Sequence, residues 1–256
     1  MPETDLLGLL GLTAPQAAVA ALVLLAAGFA RGYSGFGFSA VTVAGLSFVV
    51  EPALAVPVAV LLEVAASILQ GRSIWRDIDW KLAGALLAGG LAGNPAGVLL
   101  LAIADPSTLR LAVYGFVAAV CLVLFLVPPV PRNLSLAAWL GVGLIAGAIN
   151  GAMALSGLFI VTVMTLSATP PFRIRATLVA YFFLSDIYAG VLLAGGGLIG
   201  RQTLLLVLCA LPLVAVGIVL GSRRFLAASD AGFRRATLIL LLCIAVSGII
   251  RLILTS

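Results

Sequence analysis

The chain has 256 residues, of which 63% are hydrophobic and 9% charged, with a net charge of +5 and no histidine. Ordinary soluble domains carry roughly 25% charged residues, so this composition excludes a soluble fold and leaves no room for a soluble catalytic domain. A mean hydropathy of +1.29 assigns the excess Arg and Lys to membrane loops rather than to a nucleic-acid-binding face.

Residues 1–13 carry Glu3 and Asp5 and no basic residue, so the positively charged start of a secretory signal is missing and the first apolar run is expected to be retained. Apolar segments then fall at about 14–30, 35–50, 53–71, 82–103, 109–127, 136–150, 156–168, 177–198, 203–222 and 235–254. A membrane-spanning helix needs about 20 residues, and four of these segments are too short. The pairs 14–30 with 35–50 and 136–150 with 156–168 are each broken by a glycine-rich stretch. At 1.5 Å per residue, 156–168 reaches only about 20 Å against a hydrocarbon core of roughly 30 Å. It is expected to dip into the membrane rather than cross it. Cys121, Cys209 and Cys243 stand singly in apolar runs, so they read as small core- or lipid-facing residues, and neither a zinc site nor a disulfide framework is expected.

The broken pairs anchor an internal repeat. Gly28 and Gly32 match Gly147 and Gly151, Gly37 matches Gly157, Pro52 matches Pro171, and Gly97 matches Gly217, all at a shift of about 119 residues. The repeats cover about 14–127 and 136–254 and join at Pro128, Pro129 and Pro131, within a single transmembrane domain. Loops rich in Arg and Lys stay cytoplasmic. If each broken pair forms a hairpin, loops 72–81, 128–135, 169–176 and 223–235 share one side with ten such residues, against Arg110 and Arg201 opposite. A single crossing per broken pair destroys that bias. The predicted fold is therefore an all-α polytopic bundle of two inverted repeats, each a broken-helix hairpin followed by three transmembrane helices, as in secondary transporters.

The functional residues follow from this plan. Between Gly28 and Ser39 the helix breaks at membrane depth, and the second half-helix, starting near Ser34, Gly35 and Gly37, offers unpaired N–H groups to an anion. The second repeat offers the same device with Asn150, Ser156 and Gly157. The competing reading is close helix packing through Gly28-xxx-Gly32 and Gly147-xxx-Gly151. Arg31 is either a cytoplasmic loop charge or a ligand cation beside the break. Arg173 and Arg175 set topology. Glu63 and Asp186 lie ten residues into apolar segments, where acidic residues face the bundle interior or a cavity. At the repeat shift Asp186 corresponds to Ser67, one turn beyond Glu63, so the two acids occupy equivalent faces. They read as proton-coupling groups, or as structural acids bonded to Tyr181 or Ser185. Asn94 beside Pro95 marks a kink whose freed backbone groups could line the same cavity, and Thr177 and Ser185 could bond a substrate or a neighbouring helix. Trp75, Trp80 and Trp139 read as interfacial anchors.

Two copies of a glycine-rich broken helix, a short helix, a Pro, and an Asp-Pro-Ser-Thr-Leu-Arg turn before the last helix resemble the sulfite exporter TauE/SafE family, the 4-toluenesulfonate uptake permease group. The likeness covers residues 15–254 and rests on Gly28 to Gly37, Asp79 to Ala83, Asp105 to Arg110, Gly147 to Gly157 and Arg175 to Thr177. Two later glycines of that family's run are replaced here by Phe38 and Ser39. The resemblance implies a multi-pass carrier of the bacterial inner membrane that moves a small anion of the sulfite, sulfonate or sulfoacetate type by alternating access. No enzymatic activity, cofactor, metal or nucleic-acid partner is expected; the partners are the anion and the lipid bilayer. A coupling proton and a homo-oligomer stay open, and the alternatives are an anion channel of the same fold, a scramblase or an assembly factor.

Overall fold

A computed structural model describes residues 6–71, 78–130 and 134–225, together with 241–242, 245–246 and 248–250. Among these residues there is no strand. The helices are α1 (Leu6–Leu10), α2 (Ala14–Ser34), α3 (Phe38–Leu46), α4 (Pro52–Gly71), α5 (Trp80–Ile103), α6 (Pro106–Leu126), α7 (Leu136–Met153), α8 (Ser156–Leu166), α9 (Pro171–Gly195) and α10 (Arg201–Phe225). Seven are long and apolar enough to cross a membrane: α2, α4, α5, α6, α7, α9 and α10. The segment expected at 235–254 is only partly described, and its described residues from 241 to 250 are helical.

Local chemistry sets the boundaries. Thr13 precedes α2 and donates its N–H to Gln16 Oε1 at 2.9 Å, and Asp79, Asp105 and Ser135 cap α5, α6 and α7 with side-chain oxygens. Hydrogen bonds from Ser107 and Thr108 hold the Asp105 carboxyl below the usual carboxylate range. Gly35 ends α2 in the left-handed conformation at φ 77°, donating its N–H to Arg31 O at 2.9 Å, and Gly37 repeats that conformation at φ 85° before α3 starts. The second break is made by Ala154 at φ 54°, without a glycine. With nine and eleven residues, α3 and α8 are about 13 and 16 Å long, roughly half the hydrocarbon core.

Helices in lipid gain little from hydrophobic association, so close backbone approach carries their packing. Along the parallel pair α2 and α10, Cβ atoms at Gly28, Gly32, Gly217 and Gly221 would strike the facing backbones at Val214, Ile218, Leu25 and Phe29. Along α5 and α7, also parallel, Gly89, Gly93 and Gly97 interlock with Gly143, Gly147 and Gly151. Gly28, Gly32, Gly147 and Gly151 therefore serve packing seams, and the breaks lie beyond them. Leu22, Leu99, Ile103, Leu126, Val191 and Leu208 point outward, as lipid-facing residues do.

The start of α5, the start of α7 and the junction of α8 with α9 lie together around one cavity, and the N–H of Val130 donates to Leu166 O at 2.8 Å. The α7–α8 pair thus enters and leaves at one end of the bundle. Trp139 differs from its expected interfacial role: it is buried beside Leu82, Leu86 and Met164. Trp80 is about half exposed, and Trp75 lies outside the described residues.

Candidate functional site

Arg31 sits in the last turn of α2 and is fully buried, not in a solvated loop. Its Nη1 lies 2.8 Å from Glu63 Oε1 on α4 and donates to Gly35 O at 2.9 Å, while Nη2 donates to Ser67 Oγ at 3.0 Å. Its guanidinium carbon stands 4.8 Å from the centre of the Phe182 ring on α9. Gln70 Nε2 donates to Arg31 O at 3.1 Å. A planar cation with ion-pair, hydrogen-bond and ring contacts tolerates burial, whereas an unpaired one does not. Nε has no partner among the described residues.

Glu63 also receives Ser39 Oγ at 2.5 Å, which ties it to the first turn of α3. No side chain caps that helix end, whose N-cap is Gly37, so its leading N–H groups keep their positive field. A Cβ on Gly37 would meet nothing within 4 Å, so open space adjoins this end. Close approach by protein atoms does not require the glycine there; its positive φ does. Gly35 works through the same conformation and its carbonyl. The side chain of Ser34 lies outside the described residues.

The second half-helix is arranged differently. Ser156 Oγ, at the start of α8, donates to Asn150 Oδ1 at 2.7 Å, and Asn150 Nδ2 donates to Asp186 Oδ1 at 2.8 Å. All three are buried. A Cβ on Gly157 would collide with the Phe182 ring, so this end is filled by protein. Asp186 bonds an amide, not the Tyr181 or Ser185 hydroxyl named from sequence. It lies within Coulombic reach of Arg31 and Glu63, which joins the two halves into one cluster of one cation and two acids. Asn94 Nδ2 donates to Gly90 O at 3.1 Å and to Ser185 Oγ at 3.2 Å, and Tyr181 lies beside Ser156 and Ser185. Thr177 is buried on the same helix with no partner for its hydroxyl among the described residues.

Arg31, Gly35 and Glu63 thus meet directly, as do Asn150, Ser156 and Asp186. Ser39, Ser67, Gln70 and Phe182 were not named as site residues from sequence. Three of them had a signal: Glu63, Ser67 and Gln70 recur at helical spacing along one face of an otherwise apolar α4, and Ser39 stands where the resembling family has glycine. Phe182 had none, because an aromatic in an apolar helix looks like core.

Among the described residues, seven helices long and apolar enough to cross a membrane, two half-length helices and a buried charged cluster define a multi-pass membrane protein. The description of the sulfite exporter TauE/SafE family matches residues 20–248, and the chain belongs to that family, whose members are transporters rather than enzymes. No curated protein and no solved structure matches the chain.

Proposed function

We propose that the chain translocates a small sulfur oxyanion across the bacterial inner membrane by alternating access, binding it at the open N-terminus of α3 beside Arg31. Carrying this reading is the pairing of a fully buried arginine with an uncapped half-helix end that has free space next to it. Directional N–H donors and a desolvated guanidinium suit a tetrahedral or pyramidal oxyanion. The proposed ligand set is Arg31, Ser34, Gly35 and Gly37 on one side, with Asn94, Asn150, Ser156, Gly157 and Thr177 shaping the facing side.

The charge balance supports a coupling proton. Two acidic side chains and one guanidinium already share the cluster, and an arriving anion adds negative charge to it. At an effective dielectric of about 20, like charges 4 Å apart repel by roughly 4 kcal/mol. A proton on Glu63 or Asp186 removes that repulsion, so anion and proton move together.

Alternating access needs two related halves. Joining α2 to α10 and α5 to α7 is a reciprocal pattern, the first element of each half packing on the fourth of the other. Adding 119 converts Arg31 into Asn150 and Ser67 into Asp186, and both pairs are hydrogen-bonded across 36 residues. These correspondences support inverted repeats at 14–127 and 136–254.

The test is isothermal titration of purified protein with sulfite, thiosulfate, sulfoacetate and short carboxylates. Saturable binding of a sulfur anion, lost in Gly37→Leu, is expected. Binding of carboxylates alone would overturn the organosulfur assignment.

A further inference from the structure

A cavity of about 380 Å³ opens at one end of the bundle, apart from the Arg31 cluster, where α5, α7, α8 and α9 meet. Lys81 and Arg173 line it, both exposed and neither ion-paired among the described residues. Its one acidic group, Asp79, is committed to capping α5 through Leu82 N–H at 3.1 Å. Ser167 and Thr169 add hydroxyl-bearing residues to the wall, and buried Trp139 closes part of it. The lining therefore carries a net positive charge with hydroxyls at hand, in a volume that suits a small ligand. Between Ser167 and Thr169 the chain passes through Ala168 at φ 55°, a left-handed conformation that alanine adopts only when its surroundings impose it.

From this cavity a polar stripe runs inward along α9. Arg173, Thr177, Tyr181 and Ser185 recur every four residues, about 6 Å of rise per step. Thr177 is fully buried one turn below the cavity, with its hydroxyl unpartnered among the described residues. Tyr181 lies beside Ser156 and Ser185, and Ser185 receives Asn94. Buried hydroxyls on an apolar membrane helix are costly unless something bonds them, and a passing oxyanion supplies acceptors of the right kind.

We propose that this cavity is the mouth by which the transported oxyanion reaches the central site, captured by Lys81 and Arg173 and passed inward along the Thr177, Tyr181 and Ser185 stripe. This rests on the transport reading above. In the present arrangement the buried Thr177 closes the path one helical turn below the mouth, and Phe182, which touches Arg31, follows about 14 Å of helix rise beyond Arg173. Charge capture of this kind speeds encounter by about 10-fold or more and weakens as salt rises.

Proteoliposomes of phosphatidylcholine test it, using whichever of sulfite, thiosulfate or sulfoacetate the wild-type protein carries. In the double variant Lys81→Gln, Arg173→Gln the half-saturation concentration should rise about 10-fold at low ionic strength with the maximal rate retained, and the difference should shrink in high salt. Thr177→Val should lower the maximal rate about 10-fold, the usual scale for one lost hydrogen bond in a path, while Thr177→Ser restores it. Thermal unfolding in detergent identifies any variant that fails through misfolding, and the single variants Lys81→Gln and Arg173→Gln carry the test in that case, each expected to raise the half-saturation concentration at low ionic strength. An unchanged half-saturation concentration in the folded double variant would overturn the proposal. A defect seen only after anionic phospholipid is added would also overturn it, assigning the cations to lipid headgroups. Absence of flux for all three anions in the wild type would instead refute the transport reading itself.

Discussion

Arg31 shows how a buried charge becomes tolerable and what its removal costs. Its partners are Glu63, Ser67, Gly35 O and the Phe182 ring, so replacing it alone strands an acid inside the bundle. Arg31→Gln should therefore destabilise the protein by about 3 to 5 kcal/mol, the range for breaking a buried pair. The double variant Arg31→Gln, Glu63→Gln should recover most of that loss and still fail to bind anion. Thermal unfolding and titration on the same samples separate the two effects. The acids make a second residue-scale prediction. Asp186→Asn should abolish accumulation driven by a pH gradient while sparing anion exchange, because the hydrogen bond to Asn150 can persist in an amide. Unchanged accumulation in both Asp186→Asn and Glu63→Gln would return the acids to structural roles. Both acids were legible in the sequence, since an acidic residue deep in an apolar segment is costly to place in lipid. Which group each acid bonds was not legible, because that depends on how α2, α4, α7 and α9 are brought together in space.

At the scale of helices, the glycines divide by what adjoins them. Gly93 and Gly147 lie in the α5–α7 seam, where a Cβ would overlap the opposite backbone. Gly84 sits on the same helix with nothing within 4 Å. Gly84→Ala should leave stability unchanged or raise it by about 0.5 to 1 kcal/mol through helix propensity, whereas Gly93→Leu should separate the helices and lower the unfolding temperature sharply. A large loss in Gly84→Ala, or none in Gly93→Leu, would refute this division. Nine of the ten apolar segments read from sequence correspond to helices, with boundaries within a few residues at most ends, because hydropathy, Pro and Asp or Ser caps mark them directly, and the described residues of the tenth are helical too. The shortness of α3 and α8 was equally legible. Sequence did not separate the two roles within the glycine stretches: Gly28 and Gly147 pack against neighbouring helices, the competing reading, while the first break uses Gly35 and Gly37 and the second uses Ala154. The five-residue helix α1 was not foreseen, being too short for a periodic signal.

For the whole molecule, the cavity that gathers residues 79–82, 134–139 and 167–173 fixes which loops share an end. That grouping agrees with the Arg and Lys distribution, which assigns the same loops to the cytoplasm. Single cysteines introduced at Ser135 and Thr169 should react with a membrane-impermeant thiol reagent only after the cytoplasmic side is opened, and cysteines at Ser107 and Gly200 should react in intact cells. Labelling of positions 135 and 169 from opposite sides would eliminate the hairpin topology. We propose that this chain carries a sulfur oxyanion together with a proton through the Arg31 cluster. The most direct test is uptake of radiolabelled sulfite, thiosulfate and sulfoacetate into proteoliposomes with and without an inward proton gradient. Saturable uptake of at least one of them is expected, accelerated by the gradient and lost in Arg31→Gln, Glu63→Gln; gradient-independent flux with unitary currents, or no flux of any of the three, would overturn this proposal.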